Sequence, residues 1–383
     1  MQLTKAQMRE SWERDRKNMR LRYGIAGGAA LLAFAFCLCF RYNAYFYPEK
    51  FVLSENLKSY VLALRLLFAR VTGGALFEQK TAAIEALGSI AYYGALARLR
   101  ITLVAFVSGA ALSIAGAIFQ TAYRNPMASP NMIGAAAGVD LGNVLVVTLC
   151  SAQAYENILL RYRYCYGLTA VCMGLVFLLG RLGGRGRKEY SVLEMVMAGA
   201  VVSQIIRVFS MYLMYELPEE DLLLYQEISL GTYPDTSAVS MAVFFGVMLI
   251  SIVPVVLMRW RLNVLGMDAL EAASVGASAG RMRVIAQICG VLMVTCSMIH
   301  CGEIGMLSLV IPYMVRQRFG ADFRQQCLLS ALIGGTLLML CNLAASFVYI
   351  ADAPLPVTFL IELVLVPAFL FILARNRRGT DEI

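Results

Sequence analysis

Apolar residues in this chain fall into long runs, separated by short polar stretches rich in arginine. The runs cover 24–40, 101–120, 132–150, 165–182, 191–214, 237–259, 284–299, 304–315, 327–350 and 355–374. A bilayer-crossing helix needs about 20 apolar residues, so these runs predict an all-α, polytopic helical bundle of about ten transmembrane helices. The run 304–315 is too short to cross and is expected to be a half-helix sheltered by protein, the setting in which a broken span is tolerated. The run 24–40 follows a polar, basic segment and lacks a small-residue cleavage site, so it predicts a retained helix. In 53–71 and 78–97, apolar residues recur at helical spacing with charges between them, for example Leu57, Val61, Leu64, Leu67 and Phe68. That pattern fits amphipathic helices on the outer face, or an ordinary packed cap on the bundle.

Composition agrees with the pattern. Of 383 residues, 60% are apolar and 15% charged, more grease than one soluble core absorbs and too little polarity for disorder. The net charge of +8 sorts by topology. Lys5, Arg9, Arg14, Arg16, Lys17, Arg20 and Arg22 precede the first run, and alternate connections carry Arg124, Arg181 to Lys188, Arg259 to Arg283, and Arg316 to Arg324. The opposite short connections hold Arg161 and Arg163, while 215–236 is acidic without Lys or Arg. Positive residues stay cytoplasmic, so both termini are expected inside, and no nucleic-acid partner is needed to explain the basic balance. The ten cysteines are scattered, mostly in apolar runs, without zinc-ribbon spacing. Cys296 and the lone histidine, His300, are one helical turn apart, with Cys301 and Glu303 beside them. This set could form a soft-metal or thiol site of an intramembrane enzyme; a helix-end histidine among packed cysteines is the simpler reading, and no metal site is assigned. No lysine follows a glycine anywhere, so the chain has no P-loop to cradle nucleotide phosphates.

Three motifs stand out. In 98–142, Gly109, Ser113 and Gly116 lie in one run, and Gly134, Gly138 and Gly142 recur every four residues, spacing that lets another backbone approach one helix face. Between them, Arg124-Asn125-Pro126-Met127-Ala128-Ser129-Pro130-Asn131 predicts a tight cytoplasmic turn whose second half caps the next helix. In 262–283, Asp268-Ala269-Leu270-Glu271 has the form of a capping box, and Ala272, Val275 and Gly276 continue and end a short helix. Its small residues suit docking into a partner's groove, although a plain loop would also fit. The third motif, Gly302-Glu303-Ile304-Gly305 running on to Pro312 and Arg316, sets glycines before the short apolar helix.

Together, in this order, the motifs resemble the FecCD or BtuC-like permease subunits of ABC importers for iron-siderophores, haem and vitamin B12. The resemblance spans about 98–375 and rests on Arg98-Leu99, Gly116, Gln120, Arg124-Asn125-Pro126, Asp268–Gly276, Gly302, Ile304-Gly305, Leu309-Val310, Pro312, Arg316, Leu355-Pro356-Val357 and Pro367. Tyr313 stands where the family usually has histidine, and Arg100-Ile101, Met306, Ser308, Glu362 and Leu365 also depart from its pattern. The resemblance implies a transport subunit, not an enzyme, in a bacterial cell membrane. It implies separate ABC ATPase subunits that bind ATP and magnesium, a second permease, and an extracytoplasmic substrate-binding protein; this chain itself is expected to hold no cofactor. It assigns ATPase coupling to Asp268, Leu270, Glu271, Ala272, Val275 and Gly276, and docking of the binding protein to Arg98 and Arg100 at the outer start of a helix. The expected organisation is a basic segment 1–23, a first helix 24–40, an outer loop 41–97, a permease core 98–375 and a tail 376–383.

Charges inside the spans mark the expected pathway. Arg207 and Glu362 each lie about seven residues from the outer end of their runs, roughly 10 Å deep at 1.5 Å per residue, with Gln204 one turn below Arg207. Such charges usually face an aqueous cavity or each other. Asp140, in the glycine-rich stretch, completes the expected substrate pathway of Arg207, Gln204, Glu362 and Asp140. An ion-coupled secondary transporter of a small polar solute is the alternative, since it too would have about ten spans and intramembrane polar residues.

Overall fold

The computed structural model describes residues 5–40, 81–155, 157–183, 192–231, 237–266, 279–350 and 353–380. Among these residues the helices are α1 (Lys5–Phe40), α2 (Thr81–Ala122), α3 (Ala135–Tyr155), α4 (Ile158–Gly183), α5 (Val192–Tyr215) and α6 (Glu219–Ser229). They continue as α7 (Ala238–Leu262), α8 (Ala279–Cys301), α9 (Gly305–Phe319), α10 (Phe323–Ala345) and α11 (Val357–Thr380). Short 3-10 turns occupy Pro130–Ile133 and Asn263–Gly266, and Tyr349–Ile350 pairs antiparallel with Ala353–Pro354. Eight helices, α1, α2, α4, α5, α7, α8, α10 and α11, are long and apolar enough to cross a membrane. The shorter apolar stretch Ala135–Cys150 of α3 and the 15-residue α9 complete the expected ten.

Burial orders the bundle. In α2 and α8, 78% of the apolar stretch is buried, against 17% in α5 and 22% in α11. The first pair forms the centre, and the second pair presents most of its surface outward. Glycines make the centre dense. A Cβ on Gly116 of α2 would lie 2.6 Å from the Ser308 carbonyl carbon and 2.9 Å from Pro312 Cγ, both on α9. Gln120 Nε2, one turn on, donates to the Leu309 carbonyl at 2.9 Å, so the half-helix is keyed to α2 through its backbone. Gly138 and Gly142 likewise bring α3 onto α4, where added Cβ atoms would sit 2.6 Å from Thr169 Cα and 2.7 Å from Cys165 Cα.

Several expectations need correction. Residues 81–97 are no separate amphipathic helix: α2 runs unbroken from Thr81 to Ala122, because the alanine, leucine and arginine of 95–100 favour continuation. The companion segment 53–71 lies outside the described residues, as does the coupling stretch Asp268–Gly276. Gly134 belongs to no helix; at φ 80 it ends the Pro130–Ile133 turn, a left-handed position suited to glycine. The turn after α2 is exposed at its Arg124 end. Its later part climbs into the bundle, where a Cβ on Gly199, well inside α5, would collide with the Met132 carbonyl. Ser129 gives that turn no side-chain cap; Asn125 Oδ1 instead accepts from the Met127 amide at 2.9 Å.

Candidate functional site

The end of α6, the end of α8 and the start of α11 are tied together by backbone. Gly231 (φ 70) follows α6 and Gly302 (φ 75) follows α8. A Cβ on Gly302 would lie 2.6 Å from the Ser229 carbonyl oxygen and 2.7 Å from the Gly231 nitrogen. Side chains larger than hydrogen are excluded on both counts, conformation and space. The Glu303 amide donates to the Ser229 carbonyl at 3.2 Å, and Thr358 Oγ1 of α11 donates to the Leu230 carbonyl at 3.4 Å. Glu303 is thereby fixed where α8 gives way to the half-helix α9.

Around this knot the structure brings ionisable residues from five segments together. Tyr225 of α6 is buried against Val144 and Val147 of α3, and its hydroxyl donates to Asp140 Oδ1. Burial raises the Tyr225 pKa, and Asp140 raises it further, so the tyrosine remains a proton donor. The Glu303 pKa is raised as well, first by burial, then by Asp140 and Glu362, with Arg207 opposing. Glu303 keeps exposed area although protein crowds most sides of it, and water moderates these interactions. Arg207, Gln204 and Glu362 are exposed on the outward faces of α5 and α11, and Asp140 is half-buried. All three charged members of the expected pathway, Asp140, Arg207 and Glu362, therefore act electrostatically on one further residue, Glu303. Arg207 and Glu362 form no direct ion pair among the described residues; the described ion pair is Arg324–Asp322. Glu303 and Tyr225 were not expected in the site. An acid isolated between two apolar helices and a tyrosine inside the acidic stretch 215–236 were the available signals.

The other candidates fare differently. Arg98 is buried at 6% exposure in the interior of α2. It cannot offer its guanidinium to a docking protein, because the helix starts at Thr81 and carries Arg98 into the bundle. Arg100 is half-buried. His300 is buried, with its ring edge-on to Phe244 and Nε2 2.5 Å from the Tyr162 hydroxyl; Cys296 lies 3.7 Å from that hydroxyl. No set of three His, Cys, Asp or Glu residues able to hold a metal ion exists among the described residues. Arg161, expected in an outer loop, is inside the bundle and donates to Asn143 Oδ1 at 2.9 Å.

A model of the FecCD transport family matches residues 94–375. A probable iron chelatin transport system permease protein of Helicobacter pylori is 28% identical over 298 residues, covering 76% of this chain and 86% of the relative. The Fe(3+) dicitrate transport system permease protein FecC of Escherichia coli is 30% identical over 289 residues, covering 73% and 82%. Among solved structures, an ABC transporter in an inward-facing conformation shares the fold, with a TM-score of 0.70, 20% identity, and coverage of 93% of this chain and 99% of that one.

Proposed function

The chain belongs to the FecCD transport family, and from that premise we propose that it moves an iron-siderophore or related metal chelate inward as a permease of an ATP-driven importer. The observation that carries this reading is the continuous family match over 94–375, which takes in every helix of the charged outer cluster. A separate ATPase pair hydrolyses ATP, since this chain has no P-loop, and it bears on Asp268, Leu270, Glu271, Ala272, Val275 and Gly276. A second permease completes the pathway. Exposed Arg207, Gln204 and Glu362 on the poorly buried α5 and α11 support a route along these faces, with Asp140 and Glu303 behind them. An extracytoplasmic binding protein delivers the chelate, and of the two arginines expected to meet it Arg100 is the one that keeps exposed area. Both termini face the cytoplasm, and the chain holds no cofactor of its own.

The test is association and stimulation. Co-expressed with an ABC ATPase subunit from the same genome, the chain is expected to co-purify, and its complex to hydrolyse ATP faster when a chelate-loaded binding protein is added. Uptake driven by an ion gradient alone, with no ATPase bound, would replace this reading with a secondary transporter.

A further inference from the structure

The cytoplasmic end of α7 is held from two sides. After Leu262 the chain makes the 3-10 turn Asn263–Gly266 and enters the segment assigned above to the ATPase. Arg124, at the close of α2, donates from Nε to the Leu265 carbonyl at 3.1 Å. Its backbone has φ 51, a left-handed conformation that costs an arginine energy and persists only where the surroundings impose it. On the other side stands the tight turn between α9 and α10. Asn263 Nδ2 donates to Asp322 Oδ1 at 2.9 Å, and Asn263 Oδ1 accepts from the Phe323 amide at 2.6 Å. Both ends of one amide group are therefore engaged by one turn.

Asp322 is itself fixed. It caps α10 by accepting from the Arg324 amide at 3.0 Å, and the Arg324 guanidinium grips it at 3.1 Å through Nε and 2.8 Å through Nη2. That guanidinium lies 3.6 Å from the ring centre of Trp260 on α7, a cation–π contact. Leu262 and Leu265, on either side of Asn263, are each 1% exposed. The turn is thus a rigid block and not a hinge.

We propose that Arg124, Asn263 and Asp322 are positioning residues for transport, a socket that seats the root of the segment 267–278 on two separate parts of the bundle. Arg124 joins the root to α2, the central helix that is keyed to α9; Asp322 joins it to α10 and, through the short turn, to α9 from its other end. Displacement of the segment by an ATPase then moves α9, which begins two residues after Glu303. Without the socket, the same displacement is absorbed at the root. This inference rests on the ATPase-contact reading of 268–276.

The experiment is uptake per ATP hydrolysed, measured in proteoliposomes with the full complex of permease, ATPase and binding protein. Asn263→Ala and Arg124→Ala are expected to lower that ratio at least fivefold while the complex still assembles and hydrolyses ATP. Asn263→Gln, which keeps both amide functions, is expected to recover part of the ratio, an outcome that bulk destabilisation would not give. An unchanged ratio in both alanine variants overturns the socket and leaves the importer reading intact; absence of ATP-dependent uptake in the wild type overturns the importer reading itself. Should either alanine variant fail to insert, Arg124→Lys and Asn263→Ser decide, and a wild-type ratio in both of them overturns the socket.

Discussion

Two glycine-to-alanine changes, chemically identical, should act in opposite directions. Gly116 and Gly167 both lie inside helices, α2 and α4. At Gly167 nothing lies within 4 Å of an added Cβ, so the change acts through helix propensity alone and favours alanine by up to about 1 kcal/mol. At Gly116 the methyl would meet the Ser308 carbonyl carbon at 2.6 Å and Pro312 Cγ at 2.9 Å, where carbon atoms rest at about 3.5–4.0 Å. The deficit is about 1 Å at these carbons and larger at the Ser308 carbonyl oxygen, which stands nearer still; all of these obstacles belong to α9, and the carbonyl is backbone. Either α9 retreats from α2, stretching the Gln120–Leu309 bond, or the pair stays overpacked at a cost of about 1–3 kcal/mol or more. Propensity recovers less than that, so Gly116→Ala is expected to destabilise. In a chain of this length each kcal/mol moves the melting temperature by about 2 °C, so purified Gly116→Ala should melt several degrees below wild type, and Gly167→Ala at or above it. Because α9 follows Glu303, Gly116→Ala should also impair uptake. Equal melting of Gly116→Ala and wild type would mean that α2 and α9 do not touch backbone to backbone.

Other perturbations have equally definite outcomes. Tyr162→Phe strips buried His300 of its 2.5 Å hydrogen bond and should cost about 1–3 kcal/mol, read as a lower melting temperature without a metal or redox phenotype. Arg207→Ala and Glu362→Ala should each reduce uptake; full activity in both would remove these charges from the pathway. Burial opposes ionisation of Asp322, but its hydrogen bonds from Arg324 and Asn263 prevail and lower its pKa. The stabilisation from ionised Asp322 is therefore present above the ordinary carboxylate range and is lost as pH falls through and below it, so the stability gap between wild type and Asp322→Ala should narrow in acid. Ala272→Glu should abolish ATPase association while leaving membrane insertion unchanged.

Period and length made the bundle readable, because a bilayer demands continuous apolar runs and each run became a helix. The half-helix was readable for the same reason: 304–315 is simply too short. What escaped was depth. Nothing in Pro130–Gly134 marks a turn that climbs into the bundle, since that depends on Gly199 opening space on a distant helix. The burial of Arg98 was hidden because the residues before the apolar run of α2 carry charges like those of a loop, yet no breaker separates them from that run. At the site, Arg207 and Glu362 were visible as charges in apolar runs, whereas Glu303 sits in a connection, where an acid is ordinary. Its place beside residues about 60 to 165 positions away in the chain is set by two left-handed glycines, a juxtaposition made by tertiary packing.

The most direct test is uptake of radioactive ferric chelate into proteoliposomes holding this permease with its ATPase and binding protein, with ATP supplied on the cytoplasmic face. Accumulation should require ATP and the binding protein, persist when ion gradients are collapsed, and fall sharply in Arg207→Ala. Accumulation that continues without ATP and stops when the gradients are collapsed would contradict an ATP-driven importer.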